Sequence, residues 1–401
     1  MPYRIRALLV SLVAALAVLP AGAAPAISTP ALQAKLAREM SRAGGFSGAF
    51  VRDLDTHRTL FAVRPDAPRA PASVEKLYTT ASALLRFGAD ATLSTAVAGR
   101  GFLDPDGVWR GDLYLRGGGD PTLGADDLQR LARAVSAAGI LRVDGSVLGD
   151  ESRFDLLRGS FDTGGAYDRD IGGVLSALAF NRGFSKDGRP AAQAAAQFAK
   201  ALRAEGIRVE GRSGAGTAPA AAQPLAAVDS PPMRDLVRLT NVPSDNFLAE
   251  MLVKDLGAEF AGSGTTAAGV GVVRAQLAAL NLTPQVVDGS GLSRADRTTP
   301  RQVVRLLEAM HGEKVAGAFE GSLAVAGRTG TIRRRMRGTA AQDRCRGKTG
   351  TLIGVSALAG LCDSAGGHTV AFAMLMNRTS VARAHGVQDR VAAAIARYDG
   401  T

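Results

Sequence analysis

Apolar and polar residues alternate at both ends of the chain. Residues 45–66, "GFSGAFVRDLDTHRTLFAVRPD", alternate on either side of a DLDT turn, which predicts a hairpin of two strands. Residues 344–362, "RCRGKTGTLIGVSALAGLC", predict two strands around an LIG turn, and residues 368–377, "HTVAFAMLMN", predict a third. A helix is predicted over "VQDRVAAAIARY" at the C-terminal end.

The middle of the chain has a different pattern of predicted elements. Between residues 91 and 225, short strand-like stretches such as "DLYLRGGGDPTLG" and "VDGSVLGDESRFD" alternate with Ala-rich helical stretches such as "AAQAAAQFAKALRAEG". Residues 211–224, "GRSGAGTAPAAAQP", have the composition of a linker. We therefore expect an α/β (α+β) protein in which residues 27–90 and 226–401 form an antiparallel sheet flanked by helices, and residues 91–225 form an inserted α+β domain.

The first residues have the order of a secretory signal peptide. Arg4 and Arg6 precede an apolar run from Ala7 to about Leu19, and small residues follow it. Cleavage is expected after Ala23, which makes residues 1–23 the signal peptide. The mature protein is therefore expected in the periplasm, outside the cell or at the cell wall.

Charge and cysteine content limit the partners. The chain of 401 residues has a net charge of +11, which favours loose association with an anionic cell wall or membrane surface. The basic residues are scattered apart from "RRRMR" at 333–337, and no nucleic-acid partner is expected.

Two cysteines, Cys345 and Cys362, exclude a disulfide scaffold or a zinc module, and whether they pair stays open. We expect no metal and no cofactor.

Three short motifs occur in order along the chain: "SVEK" at 73–76, "SDN" at 244–246 and "KTG" at 348–350. In a helix, Ser73 and Lys76 project from the same face and can touch. Alone, this pair is more typical of a helix cap followed by a solvated lysine than of a catalytic pair. Because each motif occurs once and in the same order as S-x-x-K, S-D-N and K-T-G of penicillin-interacting enzymes, the three together indicate a catalytic serine.

The chain resembles the low-molecular-mass class C penicillin-binding proteins, the D-alanyl-D-alanine carboxypeptidase/endopeptidase family. The resemblance covers nearly everything after the leader and extends to "LSALAFNRG", "NVPSDNFLAEML", "VDGSGLSR" and "GTIRRRM". It implies a penicillin-binding transpeptidase/β-lactamase-like catalytic domain. It also implies cleavage of peptidoglycan stem peptides at D-Ala-D-Ala, extending to cross-links, with β-lactam antibiotics as covalent inhibitors.

The resemblance also implies the roles of the first two motifs. Ser73 is the acylated nucleophile and Lys76 the base, because a serine hydroxyl needs an adjacent base. Burial and the facing cation of Lys348 are expected to depress the pKa of Lys76. Ser244 relays a proton to the leaving group, and Asn246 holds the substrate's amide.

The roles of the third motif concern substrate binding. Lys348 and Thr349 bind the C-terminal carboxylate, for which a cation and a hydroxyl are suited. Gly350 leaves room for a ligand along the strand edge. The backbone N–H groups of Ser73 and Thr351 form the oxyanion hole.

Two features depart from the family or stay open within it. Arg294 is either structural or faces the carboxylate of a diaminopimelate side chain, and its acidic partner is Asp155, Asp162 or Asp168. The insertion is shorter than usual in the family, since "LAFNRGFSKDG" runs directly into a helix where the family has a smaller subdomain.

Rival functions are less well supported. A P-loop ending in "GKT" requires a glycine at position 342, where the chain has Gln342. A Ser-His-Asp hydrolase is disfavoured because no G-x-S-x-G elbow occurs near any of the four histidines. A β-lactamase or esterase on the same fold and a non-catalytic wall-binding protein remain the alternatives. No E-x-x-x-N pattern lies between the second and third motifs, and the motif residues are intact.

Overall fold

The computed structural model describes residues 25–185 and 187–401, so the predicted signal peptide at 1–23 lies outside the described residues. The helices are α1 (Thr29–Arg42), α2 (Lys76–Phe87), α3 (Ala125–Ala137), α4 (Pro190–Ala204), α5 (Met233–Asn241), α6 (Asn246–Phe260), α7 (Thr266–Ala279), α8 (Pro300–His311), α9 (Ala316–Gly321) and α10 (Val381–Ile395). The strands are β1 (Ser47–Asp53), β2 (Thr59–Val63), β3 (Ser94–Leu103), β4 (Val108–Arg116), β5 (Arg142–Val143), β6 (Val147–Asp150), β7 (Arg208–Val209), β8 (Ser213–Ala215), β9 (Gln223–Asp229), β10 (Ala324–Val325), β11 (Cys345–Leu352), β12 (Val355–Asp363) and β13 (Thr369–Asn377).

The first sheet joins the two ends of the chain. Its six strands are antiparallel in the order β10-β11-β12-β13-β1-β2. The predicted hairpin is β1–β2, and β1 pairs with the last strand, β13, from Ser47 opposite Met376 to Asp53 opposite Val370. The expected antiparallel sheet flanked by helices, in a mixed α/β fold, is confirmed.

Alternate residues of the central strands face two separate cores. On β13, Ala371, Ala373 and Leu375 pack with residues of α2, α5, α6, α7 and α8 on one face. Phe372 and Met374 pack on the other face with residues of α1 and α10. Because side chains of a strand point alternately to opposite faces, a nearly continuous apolar run is what a strand covered on both sides requires.

Helix α1 was not predicted. Its buried residues Leu32, Leu36 and Met40 recur every four positions and lie against the sheet beside α10. Charged and polar residues separate them, so the apolar signal is weak over its 14 residues. The packing of one narrow stripe against the sheet stabilises this helix.

The second sheet is formed by residues 94–229. It contains seven strands, with β7-β5-β4-β3-β9 in a row and with β6 pairing with β4 and β8. Strand β8 lies inside the stretch predicted to be a linker, and β9 crosses the boundary placed at 225/226, pairing with β3. The helices α3 and α4 cover this sheet around Trp109 and Phe198. The division into a catalytic and an inserted domain stays a prediction.

Cys345 and Cys362 are opposite each other on β11 and β12 and are joined by a disulfide bond. The question that the sequence left open is therefore answered in favour of pairing.

Among the described residues, no helix is both long enough and apolar enough to cross a bilayer.

Candidate active site

Ser73 lies just before a deeply buried helix. A short 3-10 turn, Ala72–Glu75, leads directly into α2, whose residues 76–84 are all buried. Ala72 has a left-handed backbone with φ of +48°, which is strained for a residue other than glycine. Strain of this kind persists only where the surroundings hold it, and here it presents the next side chain, half-buried Ser73, at the edge of the sheet.

Gly350 on β11 allows this turn to approach the strand. A Cβ at position 350 would lie 2.4 Å from the carbonyl oxygen of Pro71 and 3.1 Å from the backbone nitrogens of Ser73 and Val74. Real side chains do not tolerate the first distance, so the strand and the turn meet here because the residue has no side chain. Thr351, the next residue, is exposed beside the turn.

Lys76 is held by three oxygen atoms. Its Nζ lies 3.0 Å from Ser73 Oγ, 2.6 Å from Asn246 Oδ1 and 2.6 Å from the carbonyl oxygen of Ser290. A neutral amine has two N–H groups and one lone pair. Because the amide and carbonyl oxygens can only accept, they take the two N–H groups, and the lone pair is left for the hydroxyl proton of Ser73.

The surroundings of Lys76 make a neutral amine accessible near physiological pH. The side chain is fully buried, and burial lowers its pKa to about 8 because the charged form loses its hydration. The carboxyl groups of Asp288, Glu250, Asp245 and Glu75 oppose this shift by favouring the ammonium form. Burial is the larger effect, so the pKa ends below that of an ordinary lysine.

The second motif lies in a tight turn before α6. Ser244 has φ of +65°, and Asp245 caps the helix by accepting a hydrogen bond of 2.9 Å from the backbone N–H of Leu248. Asp245 also pairs with Arg182 at 2.9 Å. Asn246 is the first residue of α6. Its Oδ1 accepts a hydrogen bond from Lys76 Nζ, and its Nδ2 donates to the carbonyl oxygen of Asp170 at 2.8 Å.

The third motif faces the second. Lys348 Nζ donates to Ser244 Oγ at 2.6 Å and to the carbonyl oxygen of Thr349 at 2.9 Å. Lys348 is fully buried, and burial together with the charge of Lys76 lowers the pKa of Lys348 well below the usual range. Thr349 Oγ1 donates to Thr331 Oγ1 at 2.7 Å. An anion placed here would meet a cation and two hydroxyl groups.

Arg294 lies at the entrance of this cleft. Its Nη2 donates to the carbonyl of Ile353, in the turn after β11, at 2.9 Å. Of the three acidic residues left open as its partner, Asp162 contacts this segment, accepting from Ser293 Oγ at 2.7 Å and from the Arg294 backbone N–H at 3.4 Å. The other two are engaged elsewhere: Asp155 pairs with Lys254, and Asp168 accepts from Ser160.

The structure thus brings Ser73, Lys76 and Asn246 into one set of contacts and Ser244 and Lys348 into a second, and the turn of residues 244–246 joins the two sets. Gly350 and Thr351 border Ser73, Thr349 borders Lys348, and Arg294 stands at the rim. Their catalytic and binding roles stay predictions. Sequence reasoning missed the Ser290 carbonyl and Thr331, although "VDGSGLSR" and "GTIRRRM" contain them.

Within residues 25–185 and 187–401, one group of side chains has ligand atoms close enough together for a metal ion: Asp53, Asp55 and His368. Asp53 Oδ2 and His368 Nδ1 lie 2.9 Å apart, and Asp53 Oδ1 accepts from the backbone N–H groups of Asp55 and Thr56. The group lies where β1 ends, away from Ser73.

Solved structures share this fold. Penicillin binding protein 4 (dacB) from Haemophilus influenzae superposes with a TM-score of 0.75 at 21% identity, covering 89% of this chain and 97% of that one. The same protein complexed with a novel β-lactam gives 0.73 at 20% identity, with the same coverage. At these identities the likeness concerns the fold.

Relatives in sequence show which family the chain belongs to. A D-alanyl-D-alanine carboxypeptidase of Actinomadura sp. (strain R39) is 31% identical to this protein, over 89% of this chain and 82% of the relative. The model of the D-Ala-D-Ala carboxypeptidase 3 (S13) family matches residues 30–166 and 172–398. With most of its length matched and with the three motifs meeting around Ser73, the chain belongs to the D-Ala-D-Ala carboxypeptidase 3 (S13) family.

Proposed function

We propose that the protein is a serine-type D-Ala-D-Ala carboxypeptidase that acts on the stem peptides of peptidoglycan through an acyl-enzyme on Ser73. Family membership supports the activity. The single observation that carries the mechanism is the buried Lys76 Nζ, 3.0 Å from Ser73 Oγ, with its other two hydrogen-bonding positions occupied by acceptors. An amine held in this way is a base aimed at one hydroxyl group.

Acylation begins with transfer of the Ser73 hydroxyl proton to Lys76. Ser73 Oγ then forms a bond to the carbonyl carbon of the penultimate D-Ala, and the negative charge develops on the carbonyl oxygen. The backbone N–H groups of Ser73 and Thr351 stabilise that oxyanion. The proximity of Gly350 to the Ser73 turn supports this pairing of donors.

Collapse of the tetrahedral intermediate breaks the peptide C–N bond. The proton taken from Ser73 passes from Lys76 through Ser244 to the leaving amine, and D-Ala departs. Water then hydrolyses the Ser73 ester, which releases the shortened stem peptide and restores the hydroxyl group. Ser244 accepts from Lys348 and lies two residues before Asn246, which contacts Lys76, and these two contacts support a relay through Ser244.

Substrate recognition follows from the charges around the cleft. Lys348 and Thr349 bind the terminal carboxylate of the stem peptide, a charge-assisted contact that is strong in a buried site. Arg294 faces the carboxylate of a diaminopimelate side chain, and Asp162 lies beside the backbone of Arg294, where it can receive that side chain's ammonium. The proposal extends to cross-linked peptides, because the bond cut there also follows a D-Ala carbonyl, and the same acyl transfer would then act as an endopeptidase.

The test uses purified protein with a diaminopimelate pentapeptide and, separately, with cross-linked muropeptides. Release of D-Ala reports the carboxypeptidase, and release of monomers reports the endopeptidase. Ser73→Ala is the control and has to abolish both. Failure of the unaltered protein to turn over either substrate would refute the proposal and favour a non-catalytic wall-binding protein.

Location follows from two independent features. The leader at residues 1–23 supports export to the periplasm or cell wall, and the bond between Cys345 and Cys362 is typical of an oxidising compartment. Net charge of +11 and the exposed Arg333, Arg334 and Arg337 support loose association with an anionic wall or membrane surface. Cell fractionation, followed by a salt wash of the envelope, tests both.

A further inference from the structure

Glu250 is a buried acid next to the catalytic groups that the mechanism above does not use. It lies on α6 one turn after Asn246, and 1% of its surface is exposed. Residues four apart on a helix share a face, so Glu250 and Asn246 point to the same side. Glu250 Oε1 accepts hydrogen bonds from the backbone N–H groups of Gly289 (3.1 Å) and Ser290 (2.8 Å).

Glu250 binds the backbone N–H of the residue whose carbonyl oxygen contacts the base. The carbonyl oxygen of Ser290 accepts from Lys76 Nζ at 2.6 Å, while the N–H of the same residue is bound by Glu250. The preceding carbonyl, of Gly289, accepts from Thr79 Oγ1 on α2 at 2.9 Å. The loop therefore lies between α2 and α6, and Glu250 is the side chain of α6 that ties it down.

Asp288 secures the far side of the same loop. It accepts from the N–H of Gly291 at 2.6 Å and from the N–H of Ser293 at 2.7 Å. Gly291 has φ of +77°, and a Cβ there would lie 2.1 Å from the carbonyl of Ala72. The loop is thus fitted closely beneath the strained residue that precedes Ser73, and a small shift of the loop would move the acceptor of Lys76.

We propose that Glu250 is a positioning residue for the proton transfer from Ser73 to Lys76. By binding the N–H groups of Gly289 and Ser290, Glu250 fixes the backbone just before the Ser290 carbonyl, the second acceptor of Lys76, which leaves the lone pair of the neutral amine facing Ser73. The inference rests on the function proposed above and adds a residue that acts through the backbone.

The electrostatic surroundings agree with this role. Titratable groups face Lys76 from each neighbouring element: Glu75 from its own turn, Asp245 from the cap of α6, Glu250 from α6, Asp288 from the loop and Lys348 from β11. Burial and the charge of Asp288 raise the pKa of Glu250 to about 8. A carboxyl oxygen accepts from the two N–H groups in either protonation state, so the positioning contact persists when Glu250 is protonated.

The experiment compares acylation by a chromogenic β-lactam in four proteins: unaltered, Glu250→Ala, Glu250→Gln and Asp255→Asn. Stopped-flow kinetics separate the acylation rate constant from the affinity of the first complex at each pH. Asp255 is the matched control, because it is a fully buried acid on the same helix that neighbours Arg153.

Glu250→Ala is expected to lower the acylation rate constant on the order of 10- to 100-fold, the cost of misplacing a reacting group, while affinity stays unchanged. Glu250→Gln keeps an acceptor oxygen and is expected to stay within about threefold of the unaltered protein. The acid limb of its pH–rate profile should move to lower pH, because the ionised fraction of Glu250, which raises the pKa of Lys76, is absent in this variant. Asp255→Asn should change neither quantity.

If Glu250→Ala does not fold, as judged by circular dichroism, Glu250→Asp is used, whose shorter side chain withdraws the oxygen and should also slow acylation. A rate constant equal to that of the unaltered protein in the truncated variant overturns the inference. The inference is also overturned if Glu250→Gln and Glu250→Ala lose the same fraction of the acylation rate constant and the acid limb of the pH–rate profile does not shift. A purely structural role would give that result. Absence of acylation in the unaltered protein would refute the proposed function instead.

Discussion

Lys348 on β11 donates a hydrogen bond of 2.6 Å to Ser244, in the turn before α6. This contact joins the third motif to the second across the cleft, 104 positions apart in the chain. Asn246, two residues after Ser244, contacts Lys76 at 2.6 Å. The two buried lysines are therefore linked through one short loop, and neither reaches bulk water.

Ser244→Ala is expected to reduce D-Ala release by about 100-fold or more, because it removes the proton relay to the leaving amine. The protein should still fold, since the hydroxyl group is small and half-buried. The rate of D-Ala release from a pentapeptide measures the effect. Ser41→Ala, at an exposed position on α1, is the control and should keep the full rate. A relay elsewhere would be indicated by normal turnover in Ser244→Ala.

Brief exposure to benzylpenicillin is expected to leave a long-lived covalent adduct on Ser73. The opened ring stays tethered and obstructs the deacylating water, and no E-x-x-x-N glutamate is present between the second and third motifs to activate another. Intact-mass measurement should show the added mass in the unaltered protein, none in Ser73→Ala and much slower addition in Lys76→Ala. Rapid hydrolysis of the drug without an adduct would identify a β-lactamase.

Acylation should depend on pH through Lys76. The amine acts as a base only when neutral, and burial lowers its pKa to about 8. The acylation rate constant should therefore rise with pH, with a midpoint near this value, and level off above it. Rates measured from pH 5 to pH 10 in buffers of constant ionic strength test this. A midpoint near 10.5, the ordinary value for lysine, would contradict the buried environment.

Gly350→Ala should impair both stability and acylation. The added Cβ would lie 2.4 Å from the carbonyl oxygen of Pro71, so β11 and the Ser73 turn have to separate. Overpacking of this kind costs about 1–3 kcal/mol in the free energy of unfolding. Urea denaturation and β-lactam acylation measure the two effects. Gly214→Ala on β8, where the nearest atom would be 3.6 Å away, is the matched control and should have little effect.

The bond between Cys345 and Cys362 should contribute to stability more than to catalysis. It closes a loop of 17 residues, for which about 3 kcal/mol in the free energy of unfolding is expected. The double variant Cys345→Ala, Cys362→Ala should therefore melt at lower temperature and still release D-Ala at 25 °C. Thiol titration of denatured, never-reduced protein should detect no free thiol, and two free thiols would disprove the bond.

Strand alternation was sufficient to predict β1, β2, β11, β12 and β13. The apolar residues of β1, β12 and β13 face two cores, which gives these strands a strong apolar signal. Alternation failed for α1, whose single stripe is stabilised by the sheet, and for β8, which lies in a stretch rich in Gly, Ala and Pro. Strands of two or three residues depend on their neighbours for hydrogen bonds, so their own composition carries little information.

The sequence predicted those groups of the site that are side chains, but not those that are backbone atoms. The spacing of Ser73 and Lys76 reports a local contact that a helix guarantees. The Ser290 carbonyl was not predictable, because every residue has a carbonyl group and only the turn decides where it points. The choice of Asp162 over Asp155 and Asp168 depends on the path of a long loop, which local sequence does not specify.

The order of the sheet has a consequence for the making of the enzyme. A ribosome delivers the N-terminal end first, so Ser73 emerges long before Ser244, Ser290 and Lys348, and β1 has to wait for β13, the last strand. The sheet of residues 94–229 has all its strands much earlier and can assemble first. The active site around Ser73 is therefore expected to form last, once β13 has completed the first sheet. A chain interrupted before β13 contains Ser73 but lacks the strand that pairs with β1, so we expect it to have no activity.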